Sequence, residues 1–261
     1  FFSSSFGGGI HDVVFVDQRG TRYAEPSLVC PEEQDEWLDG TSNKNKENKD
    51  NFDGLRACRN RIEKEGIDLS VFTTEQIARD FEVVRQVLGY EEINFYGVSY
   101  GSHVGQYLAA LYPDSVRSLI LDGVAPLPLD YLNRSLISHE QALNKLESSC
   151  IEDADCHKQY PEMINQLDRI LVRYEQNPSQ ITFSDPDSSA EITEDVTGEE
   201  LYSLIIFSFY LEHGYASIPF LISQLERNHL EFYQYLSEWI AFEEVNASGL
   251  FYSVVCSEHT P

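Results

Sequence analysis

Residues 97–101, Gly-Val-Ser-Tyr-Gly, have the Gly-x-Ser-x-Gly spacing that can make a serine nucleophilic. In this motif the serine lies on a sharp turn between a strand and a helix, and its hydroxyl is a candidate nucleophile for acyl transfer. The turn strains the serine backbone, so we expect a Cβ at Gly97 or Gly101 to collide with the neighbouring strand or helix. The backbone N–H of Tyr100 would face an oxyanion near the positive end of that helix. The spacing therefore predicts Ser99 as a nucleophile, although five residues alone also fit an ordinary Gly/Ser loop.

The segments on either side of the motif are typical of the strand and the helix that it requires. Mostly apolar residues 93–96 predict the strand, and residues 103–111 are compatible with the helix. Upstream, residues 73–76 (Thr-Thr-Glu-Gln) predict the capping-box start of another helix, which Gly89 ends. We therefore interpret the motif as a nucleophile elbow.

Two further apolar runs predict strands of the same sheet. Residues 12–17 and 116–121 are short runs of the kind found in strands that are buried on both faces. The order strand, helix, strand gives parallel pairing through right-handed crossovers. Residues 12–126 are therefore predicted to form part of a doubly wound α/β sheet, with Ser99 at the carboxyl end of a strand, where such sheets bind ligands.

From residue 127 onward the pattern becomes helical, with frequent aromatic residues. Helical spacing predicts four helices, over residues 131–149, 161–176, 198–211 and 218–242. A short β pair is predicted between the second and the third of them, over residues 181–183 and 191–193. These helices are interpreted as a cap inserted after a strand of the sheet, with a separate helical domain as the alternative.

Charge and composition argue against two classes of partner. The 261 residues carry a formal net charge of −26 at pH 7, whereas nucleic-acid binding needs clustered Lys and Arg. The same charge disfavours anionic membrane surfaces, and the longest apolar run, residues 201–211, has about half the length of a transmembrane helix. Cationic ligands are compatible with this charge, but we interpret it as solubility in an extracellular or salty medium.

The five cysteines indicate an oxidising compartment. Cys150 and Cys156 bracket a short acidic turn, and Cys30 and Cys58 bracket a polar excursion, so each pair is suited to a disulfide. Cys256 is left over, and its partner is expected on sequence outside these 261 residues. No Cys-x-x-Cys spacing and no paired histidines occur nearby, so we expect neither a metal nor a cofactor.

Three motifs follow one another in the chain, at residues 12–21 (Asp-Val-Val-Phe-Val-Asp-Gln-Arg-Gly-Thr), 96–102 (Tyr-Gly-Val-Ser-Tyr-Gly-Ser) and 121–126 (Leu-Asp-Gly-Val-Ala-Pro). Together they resemble the secreted α/β-hydrolase exopeptidases related to prolyl aminopeptidase and tripeptidyl aminopeptidase. Residues 251–258 (Phe-Tyr-Ser-Val-Val-Cys-Ser-Glu) extend the likeness toward the end of the chain. The resemblance covers the chain from about residue 11 to residue 258.

The resemblance implies an α/β-hydrolase fold with a partial parallel sheet and a large inserted helical cap. A partial core with the nucleophile elbow is expected over residues 1–126. The mainly helical cap is expected over residues 127–255, and the start of a return to the core over residues 256–261.

The resemblance also implies a serine exopeptidase that removes residues from the free amino terminus of a peptide. Ser99 would attack the scissile carbonyl, and water would resolve the acyl-enzyme. Family members bind the ammonium group of the substrate with carboxylates, for which Glu258 is the candidate here, followed by Glu243 and Glu244. Surface charge is the alternative interpretation of each glutamate. The expected partner is thus a peptide, with no nucleic acid and no membrane, in a secreted or periplasmic protein.

Part of the expected machinery cannot be identified in the sequence. In this fold the catalytic order is Ser, then Asp or Glu, then His, but the last aspartate is Asp195, in the predicted cap, and His259 is the only histidine after the cap. His103, on the elbow helix, is interpreted as a surface or capping histidine. The chain is therefore expected to be a fragment that lacks both ends of a larger enzyme and is inactive alone. With one strand missing, residues 12–17 should lie roughly 10 Å from the strand before Ser99.

Two other functions stay open at this point. A carboxylesterase or lipase of the same fold shares the elbow and fits a cap rich in Phe and Tyr. A non-catalytic α/β-hydrolase-like binding protein would have kept the fold and lost the triad.

Overall fold

The computed structural model describes residues 11–32, 53–127, 131–184, 191–211, 214–231, 233 and 247–258. The chain divides into two compact units. Phe1–Tyr131 together with Val245–Pro261 form the elbow unit, and Leu132–Glu244 form the helical unit. The predicted site residues Glu243 and Glu244, and His259, lie outside the described residues.

Along the chain, the two strands that pair in parallel come before the two strands that pair antiparallel. In chain order they are α1 (Asp53–Lys64), α2 (Thr74–Leu88), β1 (Ile93–Val98), α3 (Tyr100–Leu111), β2 (Val116–Asp122), α4 (Tyr131–Glu152), α5 (Ala154–Gln159), α6 (Met163–Gln176), β3 (Ser179–Ser184), β4 (Glu191–Val196), α7 (Gly198–Ser208), α8 (Gly214–Glu226) and α9 (Ser248–Glu258). Short 3-10 turns, Leu69–Val71 and Pro113–Ser115, precede α2 and β2. Of these helices, α1, α5 and α9 were not predicted from the sequence.

The predicted helix start before the elbow is confirmed. Thr73 is the N-cap of α2, and its side chain accepts a hydrogen bond from the Gln76 N–H at 3.3 Å. The helix ends at Gly89, whose φ of 78° is the left-handed conformation that glycine adopts without strain. The apolar side of α2 packs into the core of the elbow unit through Ile77 and Ala78, both fully buried.

Strands β1 and β2 pair in parallel, from Ile93 opposite Val116 to Val98 opposite Asp122. On one face, Phe95 is buried in the core that includes residues of α3. The other face is exposed, with Tyr96, Val98 and Ile120 at 36%, 46% and 51% of their full accessible area. The prediction of a strand over residues 116–121 is therefore confirmed, but the prediction that it is buried on both faces is wrong.

The prediction of a buried strand over residues 12–17 is wrong. Within the described part of the chain this segment belongs to no strand, and Val13, Val14 and Phe15 are all exposed. A β-branched run becomes a strand only where a neighbouring backbone supplies its hydrogen bonds, and β1 pairs with β2 alone among the described strands.

In the helical unit the predicted β pair is confirmed, since β3 and β4 are antiparallel. Of the helix predicted over residues 218–242, the structure has α8, from Gly214 to Glu226, whereas residues 232 and 234–242 lie outside the described residues. Asn228 has a φ of 58°, which an α-helix cannot continue through, and the Arg173 guanidinium donates to the Leu225 carbonyl at 2.7 Å in the last turn. The side chain of Arg173 thus favours the helix end, as cations do at helix C-termini.

Both predicted disulfides are present, Cys30–Cys58 and Cys150–Cys156. Cys256 is exposed and belongs to neither of them. Among the described helices, none combines the length and the apolar character needed to cross a bilayer.

Candidate active site

Ser99 lies at the corner between the end of β1 and the start of α3. Its φ of 50° and ψ of −119° place a non-glycine residue in a backbone region that costs of order 1–3 kcal/mol. Ser99 is exposed. The strained strand-to-helix corner expected from the motif is therefore present in the structure.

The glycines of the motif have different roles. A Cβ at Gly97 would lie 2.5 Å from the Gly101 carbonyl carbon and 2.8 Å from the Ser102 nitrogen, both backbone atoms of α3. A Cβ at Gly101 would meet nothing within 4 Å, so the expected collision at Gly101 is wrong. Gly105, which sequence reasoning missed, permits close packing, because a Cβ there would lie 2.9 Å from Leu119. The four-residue spacing between Gly101 and Gly105 was the sequence signal that could have indicated this role.

The backbone of Ser99 is held from both sides. Its N–H donates to the Asp122 carbonyl at 2.9 Å, which continues the β1–β2 ladder into the corner. Its carbonyl accepts from the N–H of Ser102 at 2.9 Å and from the Ser102 hydroxyl at 2.5 Å. The fully buried Ser102 hydroxyl also accepts from the Ala125 N–H at 2.8 Å. Sequence reasoning missed Ser102, which ties the corner to the loop after β2.

His103 also links α3 to the loop after β2. It is 1% exposed, so its interpretation as a surface histidine is wrong. Its Nδ1 lies 3.2 Å from the Ala125 carbonyl oxygen, which also accepts from the Gln106 side-chain amide at 2.7 Å. The Gln106 carbonyl in turn accepts from the Leu127 N–H at 3.3 Å. The first two turns of α3 therefore hold the loop over residues 123–127.

The backbone N–H of Tyr100 lies at the start of α3. Because α3 begins at Tyr100, this N–H has no acceptor one turn earlier within the helix. It lies at the positive end of the helix dipole, where developing negative charge is stabilised. The nearby Asp122 carboxylate accepts from the Tyr96 hydroxyl at 2.9 Å, and this hydrogen bond raises the pKa of Tyr96.

Glu258 lies at the end of α9 and contacts the start of α2. Its Oε1 accepts from the Thr74 N–H at 2.5 Å, and its Oε2 accepts from the Thr74 hydroxyl at 2.7 Å. The Thr74 hydroxyl also lies 2.9 Å from the Tyr100 hydroxyl. The carboxylate that was expected to bind a substrate ammonium therefore already has two protein donors. A threonine at the start of a predicted helix gave no signal for this partner.

Among the described residues, the Ser99 hydroxyl has neither a histidine partner nor a metal site beside it. The same residues contain no group of three or more His, Cys, Asp or Glu side chains that could hold a metal ion. What the described site offers is a strained, exposed serine next to a helix N-terminus.

Comparison with known proteins gives matches to named hydrolases. Tripeptidyl aminopeptidase of Streptomyces lividans is 33% identical over 121 residues, which are 44% of this chain and 22% of that protein. The putative hydrolase YuaR of Escherichia coli is 24% identical over 177 residues, 64% of the chain and 34% of that protein. Serine protease Hip1 of Mycobacterium tuberculosis is 26% identical over 159 residues, 56% of the chain and 30% of that protein.

The aligned region spans only 22% to 34% of the length of these relatives. The sequence profile of the family described as alpha/beta hydrolase fold, in contrast, matches residues 5–259 of this chain. This match includes both strands of the parallel sheet, the corner at Ser99 and the helical unit. The chain therefore belongs to the α/β hydrolase fold family.

Proposed function

We propose that this protein is a serine hydrolase, and specifically an exopeptidase that releases residues from the free amino terminus of peptides. The observation that carries the proposal is the backbone of Ser99, which is strained, exposed and placed at the carboxyl end of a parallel strand. Strain of this kind persists only where the surrounding structure fixes it, and it is concentrated at functional sites.

The proposed chemistry is acyl transfer in two steps. The Ser99 oxygen attacks the scissile carbonyl, and the carbonyl oxygen becomes an oxyanion that accepts a hydrogen bond from the Tyr100 N–H. Collapse of this intermediate expels the leaving amine and forms an ester between Ser99 and the acyl group. Water then hydrolyses the ester and regenerates the serine.

The reaction needs a base that takes the proton of the Ser99 hydroxyl and later gives it to the leaving amine. His103 is buried against the Ala125 carbonyl and holds the loop after β2. We therefore infer that the base comes from a residue outside the described ranges.

A peptide substrate is supported by the names of two relatives, a tripeptidyl aminopeptidase and a serine protease. Two disulfides support a place of action in an oxidising compartment, outside the cell or in the periplasm. Specificity for a free amino terminus requires a group that binds the ammonium. Glu258 remains a candidate for that group, although Thr74 already occupies both of its oxygens.

Covalent labelling of the natural full-length protein tests the nucleophile. A fluorophosphonate probe should label wild type, and Ser99→Ala should abolish labelling and lower the rate of hydrolysis by about 10⁴-fold or more. Ser118→Ala, which removes another exposed serine hydroxyl in the same unit, should leave both unchanged. Labelling that survives in Ser99→Ala would contradict the proposal, and a wild type that is never labelled would favour the non-catalytic binding protein.

A substrate comparison tests the specificity. The enzyme should cleave an aminoacyl-anilide and lose this activity when the amino group of the substrate is blocked. Indifference to blocking, together with faster cleavage of a simple aryl ester, would favour a carboxylesterase or lipase.

A further inference from the structure

Three polar side chains from three helices form a hydrogen-bonded chain in the elbow unit. Glu258 is the last residue of α9, Thr74 is the first of α2, and Tyr100 is the first of α3. Glu258 and Thr74 are 184 residues apart in sequence, and Thr74 and Tyr100 are 26 apart. Thr74 is fully buried. The contacts are therefore long-range, and they end on the residue that follows Ser99.

The direction of each hydrogen bond in this chain is determined. The Thr74 hydroxyl has one proton and donates it to Glu258 Oε2 at 2.7 Å. The hydrogen bond at 2.9 Å between Thr74 and Tyr100 must then be donated by the Tyr100 hydroxyl. Burial raises the pKa of Tyr100, and the charge of Glu258 adds to this effect, so the phenol keeps its proton. Glu258, at one end of the hydrogen-bonded chain, thus sets the direction of both hydrogen bonds of the Thr74 hydroxyl.

Glu258 is itself supported by a well-packed helix. At the start of α9 the Gly249 N–H donates to the Leu28 carbonyl at 3.0 Å, and a Cβ at Gly249 would lie 2.5 Å from that oxygen. Along the helix, Leu250 and Val254 are buried in the core that also holds the Cys30–Cys58 disulfide. The position of the carboxylate is therefore fixed by packing over the length of α9.

The hydrogen-bonded chain ends at Tyr100, where the proposed mechanism needs accurate geometry. The Ser99 backbone is held by Asp122 and Ser102, as described above, and the next residue is Tyr100. Anchoring the Tyr100 side chain restricts rotation of the peptide unit that carries its N–H. An oxyanion donor is effective only within a narrow range of positions, and a displacement of about 1 Å can cost about 10²-fold in rate.

We propose that Glu258 is a positioning residue, which acts through Thr74 and Tyr100 to orient the oxyanion-donating N–H beside Ser99. This inference rests on the proposed function, and it gives Glu258 a role different from binding the substrate ammonium. The two roles make opposite kinetic predictions, because a positioning residue changes the transition state whereas an ammonium-binding residue changes substrate binding.

Steady-state kinetics of variants of the natural full-length protein test the inference. Glu258→Ala, Thr74→Val and Tyr100→Phe should each lower kcat by about 10- to 100-fold, while KM stays within about twofold of the wild-type value. Thr74→Ser, which keeps the hydroxyl, should restore kcat to within about threefold. The double variant Glu258→Ala with Tyr100→Phe should be no slower than the slower single variant, since both remove the same chain.

The opposite results would overturn the inference. In Glu258→Ala, an unchanged kcat together with a tenfold or greater increase in the Michaelis constant would assign Glu258 to the substrate ammonium. A kcat within twofold of wild type in Tyr100→Phe would show that the hydrogen bonds from Glu258 through Thr74 to Tyr100 do not affect the active site. Tyr100→Phe removes a single oxygen, so it keeps the test decisive where Glu258→Ala fails to fold.

Glu200→Ala provides the matched control. Glu200 accepts from the N–H and the hydroxyl of Thr197 at the start of α7, the same pair of donors that Thr74 gives Glu258. Its loss should destabilise α7 without a change in kcat. Full activity in Ser99→Ala would reject the proposed function itself. Normal kcat in all three chain variants, with Ser99→Ala inactive, would reject only the role of Glu258.

Discussion

The elbow unit and the helical unit cover their apolar residues in different ways. In the helical unit, buried residues of α4, α6, α7, α8 and the β3–β4 pair form one continuous core. In the elbow unit the core lies on one side of β1 and β2, and the opposite face of these strands is exposed. Parallel strands are ordinarily covered on both faces. The unit that carries the strained serine thus leaves apolar side chains of its sheet exposed.

The units also differ in how they satisfy the polar groups at their helix starts. At α7, Thr197 and Glu200 form a capping box within four residues. At α2, Thr73 supplies only one half of such a box, and Glu258, 184 residues away, accepts from the N–H of Thr74. At these two helix starts the helical unit therefore uses a local contact, and the elbow unit uses a contact between distant parts of the chain. Packing can stabilise a unit by itself, whereas positioning a reactive group requires constraints from several directions.

The largest expected effect separates the two motif glycines within the elbow unit. Gly97→Ala should destabilise the elbow unit by at least about 3 kcal/mol and abolish labelling of Ser99, because the new Cβ would overlap the backbone of α3, which cannot move aside. Gly101→Ala should be neutral or stabilising by up to about 1 kcal/mol, since its Cβ would enter open space in a helix. Thermal unfolding of both variants measures the difference. Equal costs would contradict the assigned roles.

A second pair of variants compares the buried core of the helical unit with the exposed face of β1 and β2. Ile205, in the core of the helical unit, is fully buried, whereas Ile120, on the open sheet face, is 51% exposed. Ile205→Ala should cost about 3 kcal/mol, and Ile120→Ala should change stability by less than about 0.5 kcal/mol. Urea unfolding of both variants gives the free energies. A cost above about 2 kcal/mol for Ile120→Ala would show that this face is covered in solution.

Acid titration tests the ion pair between Arg85 and Glu82 in the elbow unit. Arg85 donates to both carboxylate oxygens of the buried Glu82, at 2.6 Å and 2.9 Å, and these hydrogen bonds lower the pKa of Glu82 from 4.5 to about 2. A lowered pKa stabilises the folded state fully above the unfolded value, so this contribution should fade as the pH falls from 4.5 toward 2. Melting temperatures between pH 6 and pH 2.5 measure the loss.

Two variants identify Glu82 as the source of that loss. Glu82→Gln should cost about 2 kcal/mol at pH 6 and flatten the acid-dependent part of the curve. Glu75→Gln, which breaks an exposed pair with Arg79, is the control and should cost less than about 0.5 kcal/mol. An acid slope that is unchanged in Glu82→Gln would assign the acid sensitivity to other carboxylates.

The smallest expected effect concerns the local caps. Thr197→Ala should weaken α7 by about 1 kcal/mol, and Thr73→Ala should weaken α2 by a similar amount, because each removes one N-cap acceptor. Hydrogen exchange at the first turn of each helix locates the loss. Faster exchange at α2 in Thr197→Ala would show that the loss is not confined to α7.

The sequence determined the features that depend on neighbouring residues. Spacing alone identified the corner at Ser99, the N-cap at Thr73, the β3–β4 pair and both disulfides. Each of these depends on contacts within a short stretch or on a restricted set of cysteine partners. The resemblance of three motifs implied the α/β-hydrolase fold, and the profile match over residues 5–259 confirms this fold family.

Only the tertiary structure decided which groups meet across long distances. The apolar residues 12–17 predicted a strand but pair with none of the described strands, and Gly101 proved to have room for a side chain. The carboxylate of Glu258 meets Thr74 through packing of α9, which no local pattern encodes. A residue's type and spacing limit the conformations of its own segment, but burial and hydrogen-bond partners are set by whichever distant segments pack against it.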